Sequence, residues 1–301
     1  MSHHEQAVGL SPAMRDRRSL VLVLVLTVGI LVLEVIGGIL TNSLALIADA
    51  GHVFTDVAGI VLALGAIWLA GRPPSSERTF GWYRAEILAA VINAVVLLAI
   101  SAFILYEAWQ RFDEPVDIVS GPMLLIALVG GLVNLVSLSI LRGPQARSLN
   151  MRGAYLEVLG DLFGSIAVIT AGVVIIVTGL TAADAVASVV IALMILPRTW
   201  RLLREATDVL MQATPRGMDL EEVRRHLLGA EGVTDIHDLH AWTITSGMPV
   251  VSVHVVLTPD ASPASVLHEL SECLAGDFDV EHSTIQLEDV GRRRMETALH
   301  R

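Results

Sequence analysis

The sequence predicts an α-helical membrane protein, a six-span transmembrane bundle followed by a small α+β domain of order α-β-β-α-β. Three observations carry this. The 301 residues are 53% hydrophobic and 17% charged, with mean hydropathy +0.65, which is a membrane composition. Six apolar runs each approach the ~20 residues needed to cross a bilayer. After Arg204 these runs give way to short β-branched stretches and amphipathic helical patterns.

Residues 1–18 read as a polar N-terminal tail, in which His3 and His4 are not counted as ligands. The tail is not expected to be a cleaved signal, because the apolar run after it is too long and no small-residue cleavage site ends it. The spans fall at about 19–40, 43–70, 85–109, 119–141, 153–178 and 182–202, giving a membrane domain over 19–204. Tight turns at Thr41-Asn42 and at 179–181 make their flanking spans antiparallel. One set of connecting segments holds Arg15, Arg17, Arg18, Arg72, Arg78, Arg84, Arg142, Arg147, Arg152, Arg198, Arg201 and Arg204. The opposite set holds only Arg111. The positive-inside rule then places both termini in the cytoplasm of a multi-pass inner-membrane protein.

Residues 205–290 read as the α+β domain. Asp219 caps a helix over 218–228. Strands at 233–244 and 250–257 flank a Ser246-Gly247 turn. Ser262 and Pro263 open a helix over 262–274, and 283–287 is a third strand. Residues 291–301 read as a polar tail. From Glu205 to Arg301 there are 17 acids and 7 Arg, a net of −10 out of −11 for the chain. Such an acidic end argues against nucleic acid or anionic lipid headgroups as partners. The single Cys273 excludes an intramolecular disulfide and a CxxC motif, and reads as a small apolar residue on a helix.

The chemistry-bearing residues stand inside apolar helices, where ionisable groups are costly and usually face a bundle interior. Asp49, His52 and Asp56 lie at i, i+3 and i+7 on one face of the second span. Glu157 and Asp161 repeat an i,i+4 pair on the fifth. Two helices that each present two ligands build a four-ligand site for a divalent metal. Asp49, about a turn before His52, orients a ligand from behind. Glu34 and Asp184 read as structural or proton-path residues. Imidazole and carboxylates suit Zn²⁺ first, then Mn²⁺, Fe²⁺, Co²⁺ or Cd²⁺, and the lack of thiolate there argues against Cu⁺. Protons and metal compete for the same groups, which gives exchange a physical basis. HExxH is absent and the two pairs leave no open catalytic position, so an enzyme is not expected. A membrane metal sensor needs the same ligands as a carrier, and remains the alternative.

Four stretches, SLALIADAGHVFTD, RTFGWYRAEILAAVINA, SLNMRGAYLEVLGDLFGS and DLHAWTITSG, resemble the cation diffusion facilitators. The match runs in order from about residue 19 to 288 and is nearest the bacterial zinc-transporting branch. The resemblance implies a homodimeric, proton-coupled metal efflux carrier with a metallochaperone-like cytoplasmic domain. It implies a transport site at His52, Asp56, Glu157 and Asp161. Zinc members usually carry His where this chain has Glu157, so the expected site is more negative and suits harder ions better. No His stands in residues 142–152, where zinc members often carry a His-rich loop. In the cytoplasmic domain the best-matching regulatory metal ligands are His237, His254 and Glu288, with His240 and His282 as further candidates. A charged contact from the third span to the segment after the sixth falls to Arg84 with Asp208 or Glu205. Ser188 and Ala192 are small residues expected to pack in the sixth span.

Overall fold

The computed structural model describes residues 12–143 and 149–295; His3, His4 and the centre of the loop between the fourth and fifth spans, with Arg147, lie outside the described residues. Six long helices come first: α1 (Pro12–Thr41), α2 (Leu44–Ala70), α3 (Ala85–Asp113), α4 (Ser120–Leu141), α5 (Leu149–Thr178) and α6 (Ala182–Leu210). All six are long and apolar enough to cross a membrane, and within each span window only 19% to 39% of the residues are buried. The outward apolar surface is far more than a protein in water tolerates. The rest of the chain forms α7 (Leu220–Leu228), β1 (Val233–Thr243), β2 (Pro249–Leu257), α8 (Pro263–Phe278), β3 (His282–Glu288) and a short α9 (Val290–Met295), which opens the segment read as a polar tail.

The chain divides into two compact units. One holds residues up to 61 and 92–201. Its core joins Leu44 and Leu46 of α2, Ile104 of α3, Met123 of α4, Val168 of α5 and Ile191 of α6. Small residues such as Ala48, Ala108, Ala127, Ala171 and Ala192 are almost fully buried between these helices, which lets their backbones approach. The turn from α1 to α2 is tight because Asn42 takes φ 57°, a left-handed conformation that Asn tolerates. Asp184 of α6 caps the start of α2: its carboxylate accepts from Ser43 Oγ at 2.6 Å, Leu44 N at 2.7 Å and Ala45 N at 3.3 Å. These are amides that a helix start leaves without partners. Arg111 closes the arrangement, 3.4 Å from Asp184 and 2.7 Å from the Asn42 carbonyl. Ser188, fully buried, donates to the Asp184 carbonyl, consistent with packing.

The second unit holds residues 62–91 and those from 202 onward. Its sheet has the order β1-β2-β3, with β1 antiparallel and β3 parallel to the central β2. Val223 and Leu227 of α7 and Val266, Leu270 and Leu274 of α8 pack with Ile236, Val251, Val253 and Val255. In β1 the register jumps between His237 and His240, where Asp238 takes φ 53°. The extra residue of this bulge shifts the pleat, so Ile236 and Ala241, five apart, are both buried. Asp219 Oδ1 caps α7 through Glu221 N at 2.9 Å. α8 runs one turn past its expected end at Leu274, stopping where Asp279 turns left-handed and its amide bonds back to the Leu274 carbonyl. That added turn carries Asp277.

Candidate metal centre

In the first unit, the α2 pair meets Asp161 of α5. His52 Nε2 lies 3.6 Å from Asp56 Oδ2 and 3.7 Å from Asp161 Oδ1. One ligand atom from each residue falls within 4.8 Å of the other two. A tetrahedral ion with metal–nitrogen and metal–oxygen bonds near 2.1 Å would hold such atoms about 3.4 Å apart. The three side chains are largely buried, and Asp56 Oδ2 and Asp161 Oδ1 have no hydrogen-bond partner. Buried acceptors are rarely left unpaired, so the orphaned oxygens fit a cation as their missing partner.

Glu157 is not brought into that group. It lies beside Asp56, but Arg198 of α6 donates to its Oε1 at 2.6 Å. Arg198 is the residue that sequence reasoning missed. It stood among the arginines of the positive-inside set, and nothing in local spacing links positions 41 residues apart. With Glu157 neutralised by Arg198, the cluster is one imidazole and two carboxylates, a net of −2 that balances a divalent ion.

Behind the cluster, Asp49 is almost fully buried and touches Glu34 of α1. It packs against the bare backbone of Gly164 on α5, where an added Cβ would collide with the carboxylate. Asp49 therefore holds no place in the ligand group itself and lies on the α2 face that carries it.

In the second unit, His237, His254 and Glu288 come together. His237 Nε2 and His254 Nδ1 each lie 3.2 Å from a different oxygen of Glu288. The register explains this: His237 pairs directly with His254, and Glu288 lies opposite Val256, one alternate position along the same face. Burial pushes the Glu288 carboxyl up, but the Gln286 amide, the His237 bond and the charge on His254 together hold it below its ordinary value. The carboxylate is therefore held in its anionic form.

The other candidates fall elsewhere. His240 lies 3.1 Å from Asp238, displaced from the cluster by the bulge, and His282 packs edge-on against Phe80 at 5.5 Å. Arg84 makes no ion pair with a described residue; Glu205 and Asp208 instead face Arg216, which the tight turn after α6 returns to them. The start of α3 does reach the α+β domain, through Glu86, which accepts from Thr245 Oγ1 at 2.6 Å and Ser246 Oγ at 3.0 Å.

Six membrane-length helices that carry a largely buried group of candidate metal ligands, followed by a domain with a second candidate group, point to a metal-handling membrane protein. Residues 20–211 match the cation efflux transmembrane domain, and residues 215–290 match the cation efflux protein cytoplasmic domain. The chain belongs to the cation efflux family, the cation diffusion facilitators. It is 44% identical over 286 residues to the metal cation efflux system protein CzcD of Cupriavidus metallidurans, covering 95% of this chain and 90% of that one. It is 38% identical to the zinc transporter ZitB of Escherichia coli, covering 96% and 93%. The cadmium, cobalt and zinc/H(+)-K(+) antiporter of Bacillus subtilis is 38% identical, covering 91% and 89%. A metal-bound C-terminal domain of the CzcD transporter is 46% identical over 24% of this chain and 99% of that one, with TM-score 0.23. The protein is a multi-pass membrane transporter whose substrates are metal cations.

Proposed function

We propose that the protein exports a divalent metal, Zn²⁺ first, from the cytoplasm in exchange for protons, working as a homodimer in the inner membrane with both termini cytoplasmic. The observation that supports this most is the convergence of His52, Asp56 and Asp161 with orphaned, buried oxygens. Glu157 completes a four-ligand set on leaving Arg198. Each ligand must shed its proton to bind metal, so proton binding on one side of the membrane expels the ion and metal binding on the other expels protons. Rocking of the helices that bear the site would expose it alternately to the two sides. The names of the zinc and the cadmium, cobalt and zinc relatives agree with this substrate class. His237, His254 and Glu288 form a regulatory site: metal bound there favours the folded, assembled domain over its alternatives.

The test is flux into proteoliposomes under an imposed pH gradient, with Zn²⁺ and Mn²⁺ in parallel. Zinc-preferring flux that collapses with the gradient, and vanishes in a folded Asp161→Ala variant, is expected. Gradient-independent flux would overturn proton exchange, and normal flux in Asp161→Ala would overturn the site.

A further inference from the structure

A third group of ligand atoms lies on the helical side of the α+β domain. His226 lies in the last turn of α7, while Cys273 and Asp277 are one turn apart on α8. One ligand atom from each falls within 4.8 Å of the other two. Cys273 Sγ lies 3.7 Å from Asp277 Oδ2. A tetrahedral ion with a metal–sulfur bond near 2.3 Å and a metal–oxygen bond near 2.1 Å would hold these atoms about 3.6 Å apart. The His226 ring is seated against Phe278 at 5.1 Å, which limits its freedom on this side of the helix pair. His226 and Asp277 are exposed and Cys273 is half-buried, so an ion can enter from solvent. Cys273 packs against the domain core as a small apolar residue on a helix would, and the turn that α8 adds past Leu274 brings Asp277 beside it.

We infer that His226, Cys273 and Asp277 bind a thiophilic divalent cation such as Cd²⁺, Zn²⁺ or Co²⁺, bridging α7 and α8. One nitrogen, one sulfur and one oxygen leave a fourth position for water. Binding converts the thiol to a metal thiolate, and its proton goes to solvent. Burial, and then Asp277 beside it, raise the thiol's pKa, so without metal it stays protonated and donates to the carboxylate. The site differs in kind from the other two groups, which hold only nitrogen and oxygen. A soft sulfur favours Cd²⁺ and Zn²⁺ over Mn²⁺. His237, His254 and Glu288 lie on the opposite face of the sheet from α7 and α8, so the two sites can fill separately.

The chain has a single cysteine, so any thiolate-to-metal charge-transfer absorption reports this site alone. Full-length protein in detergent, its thiol first shown to be reduced by titration, is titrated with Cd²⁺. A band is expected that saturates at one ion per chain and is lost in Cys273→Ser. It should need about tenfold more metal, or beyond, in His226→Ala and in Asp277→Ala. It should persist in Asp161→Ala, which separates this site from the transport site. A reduced thiol without a band would overturn the inference. So would a band whose midpoint is unmoved in both His226→Ala and Asp277→Ala, since the thiol would then be acting alone.

Discussion

Arg198 offers the sharpest test of how the proposed transport site works, because a cation beside a cation site is otherwise hard to account for. Its bond to Glu157 is short, but the two side chains are 62% and 33% exposed. An ion pair that open to solvent stabilises by only about 0.2–1 kcal/mol. If Glu157 must leave Arg198 to join the metal, that is the cost of release. At 1.4 kcal/mol per tenfold, Arg198→Ala should tighten metal binding by roughly 1.4- to 5-fold. Glu157→Ala should act in the opposite direction, because it removes a ligand and leaves the guanidinium unneutralised; a loss on the order of tenfold or more is expected. The double variant should lie between the two single ones, with a coupling that a double-mutant cycle extracts. Binding is measured by competition with a metal-sensitive dye on full-length protein in detergent, using the component that Asp161→Ala abolishes. Flux gives a second readout: Arg198→Ala should lower both the half-saturating concentration and the maximal rate, since a tighter site releases its ion more slowly. The reasoning fails if both single variants shift affinity in the same direction, or if neither shifts it.

Three further outcomes follow from the geometry. Asp184→Ala leaves two buried amides and a hydroxyl at the start of α2 without their acceptor; at about 1–3 kcal/mol for each such group, thermal unfolding in detergent should show a loss of about 3 kcal/mol or more, while Asp184→Asn, which keeps an acceptor oxygen, should lose less. Gly164→Ala drives a methyl into the buried Asp49 carboxylate, and should cost about 1–3 kcal/mol and reduce flux although no ligand is removed; wild-type unfolding and flux would show that α5 has room to yield. Saturating Zn²⁺ at about 100 times its dissociation constant from the proposed site at His237, His254 and Glu288 should raise that domain's stability by about 2.7 kcal/mol, an increment that Glu288→Ala and chelation should both remove; an undiminished increment in Glu288→Ala would place the stabilising ion elsewhere.

Periodicity made much of this protein legible. Six apolar runs gave six helices, and the i,i+4 pairs on the second and fifth spans share a face because helix geometry admits no other arrangement. What distance in sequence separates was not legible. Asp184 lies some 140 residues from the helix start it caps, and its place near a span end could signal only that an acid there needs a partner. Arg198 carried the same signature as every other arginine at the Arg-rich end of the spans. The bulge at Asp238 was not legible either, because strict alternation through the HDLH stretch puts His237 and Leu239 on one face. With the bulge, His237 and His240 share that face, but two positions apart along β2, so only His237 meets His254. Helix α8 runs past Leu274 because the left-handed residue that ends it is Asp279, which no local motif at 274 announces.

Charge accounting changes how the Glu157 position should be understood. With free Glu157 the site would carry three carboxylates, a net of −3, and that excess favours small, hard ions and resists release. Bound to Arg198, Glu157 contributes no net charge, and the site returns to −2, the value it would have with a neutral ligand at this position. Glutamate and arginine together therefore substitute electrostatically for a neutral residue while keeping an oxygen in reserve. A hard ion benefits from recruiting that oxygen and must pull Glu157 off Arg198 to do so. An ion content with His52, Asp56, Asp161 and a water need not. If Glu157 joins the ion in this way, metal ranking would be set less by Glu157 itself than by how firmly Arg198 holds it from α6, a helix that bears none of the proposed ligands.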